Sequence, residues 1–291
     1  MSKYSIVIPI KKYTYFWSGE GIDNRKPTRE HDNIKRFFEI SWKTHDKYMK
    51  KEDIDCIYFI LPQDEKEYFE SMANKYIKNV NIKILVDDDL ISQRYNFKSH
   101  RKQMLLKLAI HQYINTDLYL ILDEDIITLK EFGHSDLYDS NKVKYTSDPN
   151  IMNEVHVWES SRDLLKLKTK TNIYKLKDVI AITPQIMITA VVKQMMDYLL
   201  KQHGSEYNLY EEMTKVSWTE YTLYWLYLRY VDQIGKKRYK DSRIIGRCLT
   251  SYESDYIEII RNTIKEKEGY FMIIQSNVYE YNIKNLKKAF N

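Results

Sequence analysis

The triplet Asp123-Glu124-Asp125 directly follows the apolar run Leu118-Tyr119-Leu120-Ile121-Leu122. In an extended chain alternate residues share a face, so Asp123 and Asp125 would aim two carboxylates at one point while Glu124 faces away. Three consecutive acids at the end of an apolar strand repel one another and lose hydration, and a cation relieves both costs. Mg²⁺ or Mn²⁺ suits such a place, because each prefers carboxylate, water and phosphate oxygens. An ion held by two carboxylates keeps positions open for a nucleotide diphosphate, whose growing charge it stabilises as that group leaves. The same residues also fit a plainer reading, in which Asp123 caps the turn after a strand and its neighbours are solvated.

Elements that would place the triplet can be read upstream of it. Ser5-Ile6-Val7-Ile8-Pro9-Ile10 is a β-branched run stopped by proline, and it predicts a buried opening strand. Ile34, Phe37, Phe38, Ile40 and Trp42 recur at helical spacing between about Glu30 and Tyr48. Ile54 to Leu61 reads as a strand, Asp64 to Tyr76 as a helix, Val80 to Val86 as a strand, Ser99 to Tyr113 as a helix and Leu118 to Leu122 as a strand. Such alternation predicts an α/β fold with a mainly parallel central sheet and helices on both faces. Ligands of these sheets bind beyond the carboxyl ends of the strands, which singles out Pro9 to Lys12, the loop Asp87-Asp88-Asp89 and the acidic triplet.

Past Thr128 the alternation stops. Glu131 to Lys177 is long and polar, and long ordered loops tend to serve function. Val179 to Ile182 reads as a further strand. Thr183-Pro184 then looks like the N-cap and first turn of a helix ending near Gly204, and a second helix is expected from Ser217 to Tyr230. A helix near Asp255 to Ile264 and a strand near Phe271 to Gln275 are read as closing structure.

Bulk properties narrow the classes. The 291 residues are 43% hydrophobic and 30% charged, and the net charge of +5 is spread rather than clustered, so no nucleic-acid partner is implied. The two cysteines, Cys56 and Cys248, have no ligand-spaced companions, which fits a reducing, cytoplasmic setting. The first residues lack the zones of a signal peptide, and the apolar stretch Val179 to Val192 falls short of a bilayer span.

The segments Ser99-His100-Arg101-Lys102-Gln103-Met104-Leu105-Leu106-Lys107-Leu108 and Asp117-Leu118-Tyr119-Leu120-Ile121-Leu122-Asp123-Glu124-Asp125 resemble the Gln-containing helix and acidic strand end of GT-A glycosyltransferases. More narrowly, Trp158, Thr183-Pro184 and Glu220-Tyr221-Thr222-Leu223-Tyr224 follow in the order found in a poorly characterised bacterial and large-virus group of that fold. The likeness covers roughly Tyr4 to Tyr230. It implies a single GT-A domain, with residues 1–128 binding the nucleotide sugar, 129–230 forming the acceptor side and 231–291 closing the structure. It also implies a metal-dependent glycosyltransferase that moves a sugar, by analogy from a UDP-sugar, to a glycan or other hydroxyl acceptor. Many enzymes of this fold add a late histidine to the metal. The last histidine here, His203, precedes the Glu-Tyr helix, which leaves that place to water.

Within that reading Asp123 and Asp125 hold the metal. Pro9, Lys11, Arg101, Gln103, Lys107 and Glu124 are expected at the cofactor, with cations and amides meeting phosphate and base edges. Glu220 is the expected catalytic base, with Asp178 as the fallback, although Ser217-Trp218-Thr219-Glu220 also spells a capping box. Trp218 could stack on a sugar. His156 and Trp158 would share one face of an extended acceptor-side segment. Arg101 and Lys107 suit an exposed helix face equally well. A nucleotidyltransferase would use a similar sheet and metal, but no glycine-rich loop follows Ile8-Pro9-Ile10-Lys11-Lys12. A non-catalytic carbohydrate-binding protein of the same fold is the remaining alternative.

Overall fold

The computed structural model describes residues 3–18, 21–148, 154–168, 179–180, 182–232 and 235–290. It is an α/β protein with a mainly parallel central sheet and flanking helices, as the alternation predicts. The chain divides into two compact units.

Unit 1 comprises Met1–Val86, Leu122–Asp136 and Arg243–Asn291. Strands Tyr4–Pro9, Ile54–Leu61 and Ile82–Val86 pair in parallel, with Ile8 opposite Phe59 and Phe59 opposite Ile84. The first is buried at every position and the second everywhere but Asp55, as unbroken apolar runs in a parallel sheet require. Asp32 caps the helical stretch from Asn33 to Tyr48 by accepting from the Lys35 amide at 2.9 Å. Phe37 packs edge-on to Phe59, and Phe38 meets Phe69. Leu122 donates to the Val7 carbonyl at 3.0 Å, which sets the acidic triplet immediately past a buried strand.

A second sheet in unit 1 is only partly legible beforehand. Phe271–Ile274 runs parallel to Ile245–Leu249 and antiparallel to Ile126–Thr128. Helices Tyr256–Glu266 and Ile283–Phe290 complete a core with Ile127, Leu249, Ile260, Met272 and Leu286.

Unit 2 comprises Asp87–Ile121 and Leu137–Ser242. Strand Leu118–Ile121 pairs antiparallel with Gln185–Ile188. This corrects the expected helix start at Thr183-Pro184. The helix begins at Thr189, because Gln185 to Ile188 gains a ladder beside a buried strand, and it ends at His203 with left-handed Gly204 behind it. The loop expected at Asp87-Asp88-Asp89 is a helical turn, Asp87–Leu90, clamped by Lys102 Nζ at 2.8 Å from Asp87 and 2.5 Å from Asp88. The polar region after Thr128 contains strand Lys142–Tyr145 and helix Val155–Leu164. Helix Glu220–Tyr230 is buried continuously from Glu220 to Leu228, so it is an interior helix without a polar face. Among the described residues no helix is long and apolar enough to cross a membrane.

Candidate functional site

The acidic triplet is not extended. The Ile126 amide reaches the Asp123 carbonyl at 3.3 Å, so residues 123–126 form a turn between Leu122 and strand Ile126–Thr128. Alternation of exposure nevertheless survives. Asp123 and Asp125 are half-buried and Glu124 is buried, 6% exposed.

Several bonds hold this turn. Ser41 Oγ donates to the Glu124 carbonyl at 2.9 Å. The Ile274 amide donates to the Asp125 carbonyl at 3.0 Å, and the Ser276 amide to Asp125 Oδ2 at 2.9 Å. Ser276 Oγ donates to Glu124 Oε1 at 3.1 Å. Beneath them lies Arg36, 3% exposed, whose Nη2 donates to the Ile274 carbonyl. Burial lowers the Arg36 guanidinium, and the nearby Asp125 and Glu124 carboxylates oppose that shift. Burial also lowers Lys11, opposed by Glu124 and Glu65. Glu124 itself is pushed well above the usual carboxylate range, first by burial and then by Asp125 and Asp123.

Upward pressure on a buried acid flanked by two others is the charge crowding that a divalent ion would relieve. The half-buried carboxylate oxygens of Asp123 and Asp125 are hard donors of the kind Mg²⁺ and Mn²⁺ accept. Among the described residues no group of three or more His, Cys, Asp and Glu side chains could hold a metal. Pro9, the last residue of its strand, is buried opposite Ile60.

The other expected site residues belong to unit 2. Lys107 is buried rather than on an exposed helix face. Its Nζ lies 3.0 Å from Glu220 Oε1 and donates to Thr183 Oγ1 at 3.1 Å, and that hydroxyl meets the Tyr221 hydroxyl at 2.7 Å. Glu220, 3% exposed, is thus the anionic half of an interior ion pair rather than a free carboxylate. The expected capping box moves by two residues: Thr219 is the N-cap, Thr222 closes the box, and Glu220 sits in the first turn, where the helix dipole favours a negative charge.

Trp218 is buried and donates its Nε1 to the Met213 carbonyl at 2.9 Å, so it offers no ring face to a sugar. His156 and Trp158 do not share a face. They lie in helix Val155–Leu164, where residues two apart point to different sides: Trp158 is fully buried and His156 exposed. Arg101 donates to the Thr214 carbonyl, and Gln103 is half-buried on the same helix. Asp178 lies outside the described residues. A cavity of about 540 Å³, lined by His111, Asn115, Thr189 and Lys193 among others, opens at the amino end of strand Leu118–Ile121, whereas the acidic turn follows its carboxyl end.

The model of a family of unknown function, DUF6492, matches residues 1–288. The chain belongs to that family. No curated protein matches this DUF6492 member. Its structure is similar to mouse xyloside xylosyltransferase 1 in the apo form, with a TM-score of 0.54 and 7% identity over 95% of this chain and 99% of that one. It also matches the mannosyltransferase Ktr4p of S. cerevisiae, with a TM-score of 0.48 and 9% identity over 76% of this chain and 64% of that one. The galactosyltransferase LgtC, solved with donor and acceptor sugar analogues, gives 0.44 and 10% over 84% and 75%. The xylosyltransferase likeness establishes a shared fold across nearly all of both chains.

Sequence reasoning found the triplet and missed its frame. Arg36, Ser41 and Ser276 carry no motif, and Ser276 is 151 positions from Asp125. The one available signal was the strand Phe271–Ile274, which ends two residues before Ser276.

Proposed function

We propose that this DUF6492 protein is a metal-dependent glycosyltransferase that uses a nucleotide-diphosphate sugar, with UDP as the nucleotide, and a hydroxyl acceptor. The observation that carries the reading is the acidic turn. The half-buried carboxylates of Asp123 and Asp125 stand past the end of a buried strand, in a turn held by the Ser276 amide on Asp125 Oδ2, the Ser276 hydroxyl on Glu124 Oε1 and backbone bonds. The fold shared with a xylosyltransferase supports the same chemistry.

In this reading Asp123 and Asp125 hold Mn²⁺ or Mg²⁺. The ion, when bound, stabilises the negative charge that develops on the departing nucleoside diphosphate. Asp125 keeps Oδ2 on the Ser276 amide, which orients its other oxygen. Lys11, half-buried near Glu124, adds positive charge to the same neighbourhood. Glu220 enters as a structural partner of Lys107 and not as the base that deprotonates the acceptor.

A panel of nucleotide sugars incubated with the protein, with and without Mn²⁺, tests the reading through release of nucleoside diphosphate. Manganese-dependent release from at least one sugar nucleotide, without release of pyrophosphate, is the expected result. Release of pyrophosphate from a nucleoside triphosphate would instead identify a nucleotidyltransferase. Binding of glycans without turnover, unaffected by Mn²⁺, would identify a carbohydrate-binding protein.

A further inference from the structure

Ser276 makes two bonds to two different acids of the turn. Its amide holds Asp125 Oδ2 at 2.9 Å and its hydroxyl holds Glu124 Oε1 at 3.1 Å. The residue is itself anchored through the strand before it. The Ile274 amide bonds the Asp125 carbonyl, while the Ile274 carbonyl accepts from buried Arg36. Among the described residues, Arg36 Nε and Nη1 find no hydrogen-bond partner. A buried guanidinium with unmet donors costs stability, so its placement near Asp125 and Glu124 marks a constraint beyond packing.

We propose that Ser276 is a positioning residue for the proposed metal site, an inference that rests on the functional reading above. By holding Glu124 Oε1 through its hydroxyl and Asp125 Oδ2 through its amide, it sets the direction in which the remaining Asp125 oxygen faces a divalent ion carrying a nucleoside diphosphate. The ligand need not be ordered on binding, because the frame has ordered it already. Groups that orient metal ligands in this way typically change metal affinity by about 10- to 100-fold when removed.

Ser276→Ala deletes the hydroxyl bond to Glu124 and leaves the amide in place, and Ser276→Thr restores a hydroxyl. Electron paramagnetic resonance of free Mn²⁺, titrated into the full chain with UDP present, reports affinity without reference to turnover, and unfolding temperature is measured beside it. The expected result is a Mn²⁺ dissociation constant raised about tenfold or more in Ser276→Ala, an unfolding temperature within a few degrees of the parent, and recovery of affinity in Ser276→Thr.

Equal affinity in the parent and in Ser276→Ala overturns the inference and leaves the functional reading standing. Affinity that falls only in step with unfolding temperature across Ser276→Ala and Ser276→Gly marks a purely structural serine and overturns it too. Failure of the parent to bind Mn²⁺ with UDP overturns the functional reading, and the inference with it.

Discussion

Lys107 and Glu220 show what burial does to residues that look functional in one dimension. A lysine about two turns into a helix and a glutamate opening a tyrosine-rich one both read as site chemistry, yet they pair 3.0 Å apart in the interior of unit 2. Removing one partner of such a pair leaves an unpaired buried charge and costs about 3–5 kcal/mol, whereas replacing both with apolar groups costs far less. We expect Glu220→Gln to lower stability by that amount in urea unfolding, and Lys107→Met combined with Glu220→Leu to recover most of it. Independent, additive losses would contradict the pairing. His45 makes a second residue-level case. It is completely buried, bonds Thr128 Oγ1 at 2.7 Å, and burial pushes it down to about 3 from 6.5. The unfolded chain accepts a proton below pH 6.5 that the folded chain refuses. Stability is therefore full above that pH and falls as pH drops toward 3, by about 1.4 kcal/mol per pH unit. Urea midpoints at pH 7, 6 and 5 should show a shallower pH slope in His45→Gln than in the parent, and equal slopes would refute the assignment. Neither role is visible in the sequence, because burial is decided by partners far along the chain.

At the scale of elements, the parallel strands and their helices were legible because each is a long apolar run or a clear helical stripe. Ile54–Leu61 forms with the bounds its residues suggest. Failures cluster where a short segment could serve two structures. Gln185–Ile188 reads as the first turn of the helix that follows, and only antiparallel pairing with Leu118–Ile121 makes it a strand. Helix Val155–Leu164 was hidden in a polar region because its buried face is narrow, which misplaced His156 relative to Trp158. The second sheet of unit 1 was read only in its strand Phe271–Ile274, because that strand's partners Ile126–Thr128 and Ile245–Leu249 lie in distant stretches. Its tight fit yields a prediction: a Cβ on Gly246 would lie 1.8 Å from the Glu268 carbonyl oxygen, a backbone atom that cannot swing aside. Gly246→Ala should destabilise the protein by about 1–3 kcal/mol in chemical unfolding. A change below a few tenths would show that the strand shifts freely.

For the whole molecule, the acidic triplet was legible as a candidate site and the residues that support its turn were not. Unit 1 returns Arg243–Asn291 to Leu122–Asp136 after the whole of unit 2 has been made, a closure that no local pattern announces. A ligand that binds only the folded turn must stabilise the fold around it by mass action, by about 2.7 kcal/mol at a hundredfold excess over its dissociation constant. Mn²⁺ with UDP should therefore raise the unfolding temperature by a few degrees, and Mn²⁺ alone by less. The most direct measurement is calorimetric titration of UDP in the presence of Mn²⁺ into the parent protein and into folded Asp125→Ala. The account predicts saturable, manganese-dependent binding in the parent and its loss in the variant, with the circular dichroism of the two unchanged. Equal binding by both would contradict it.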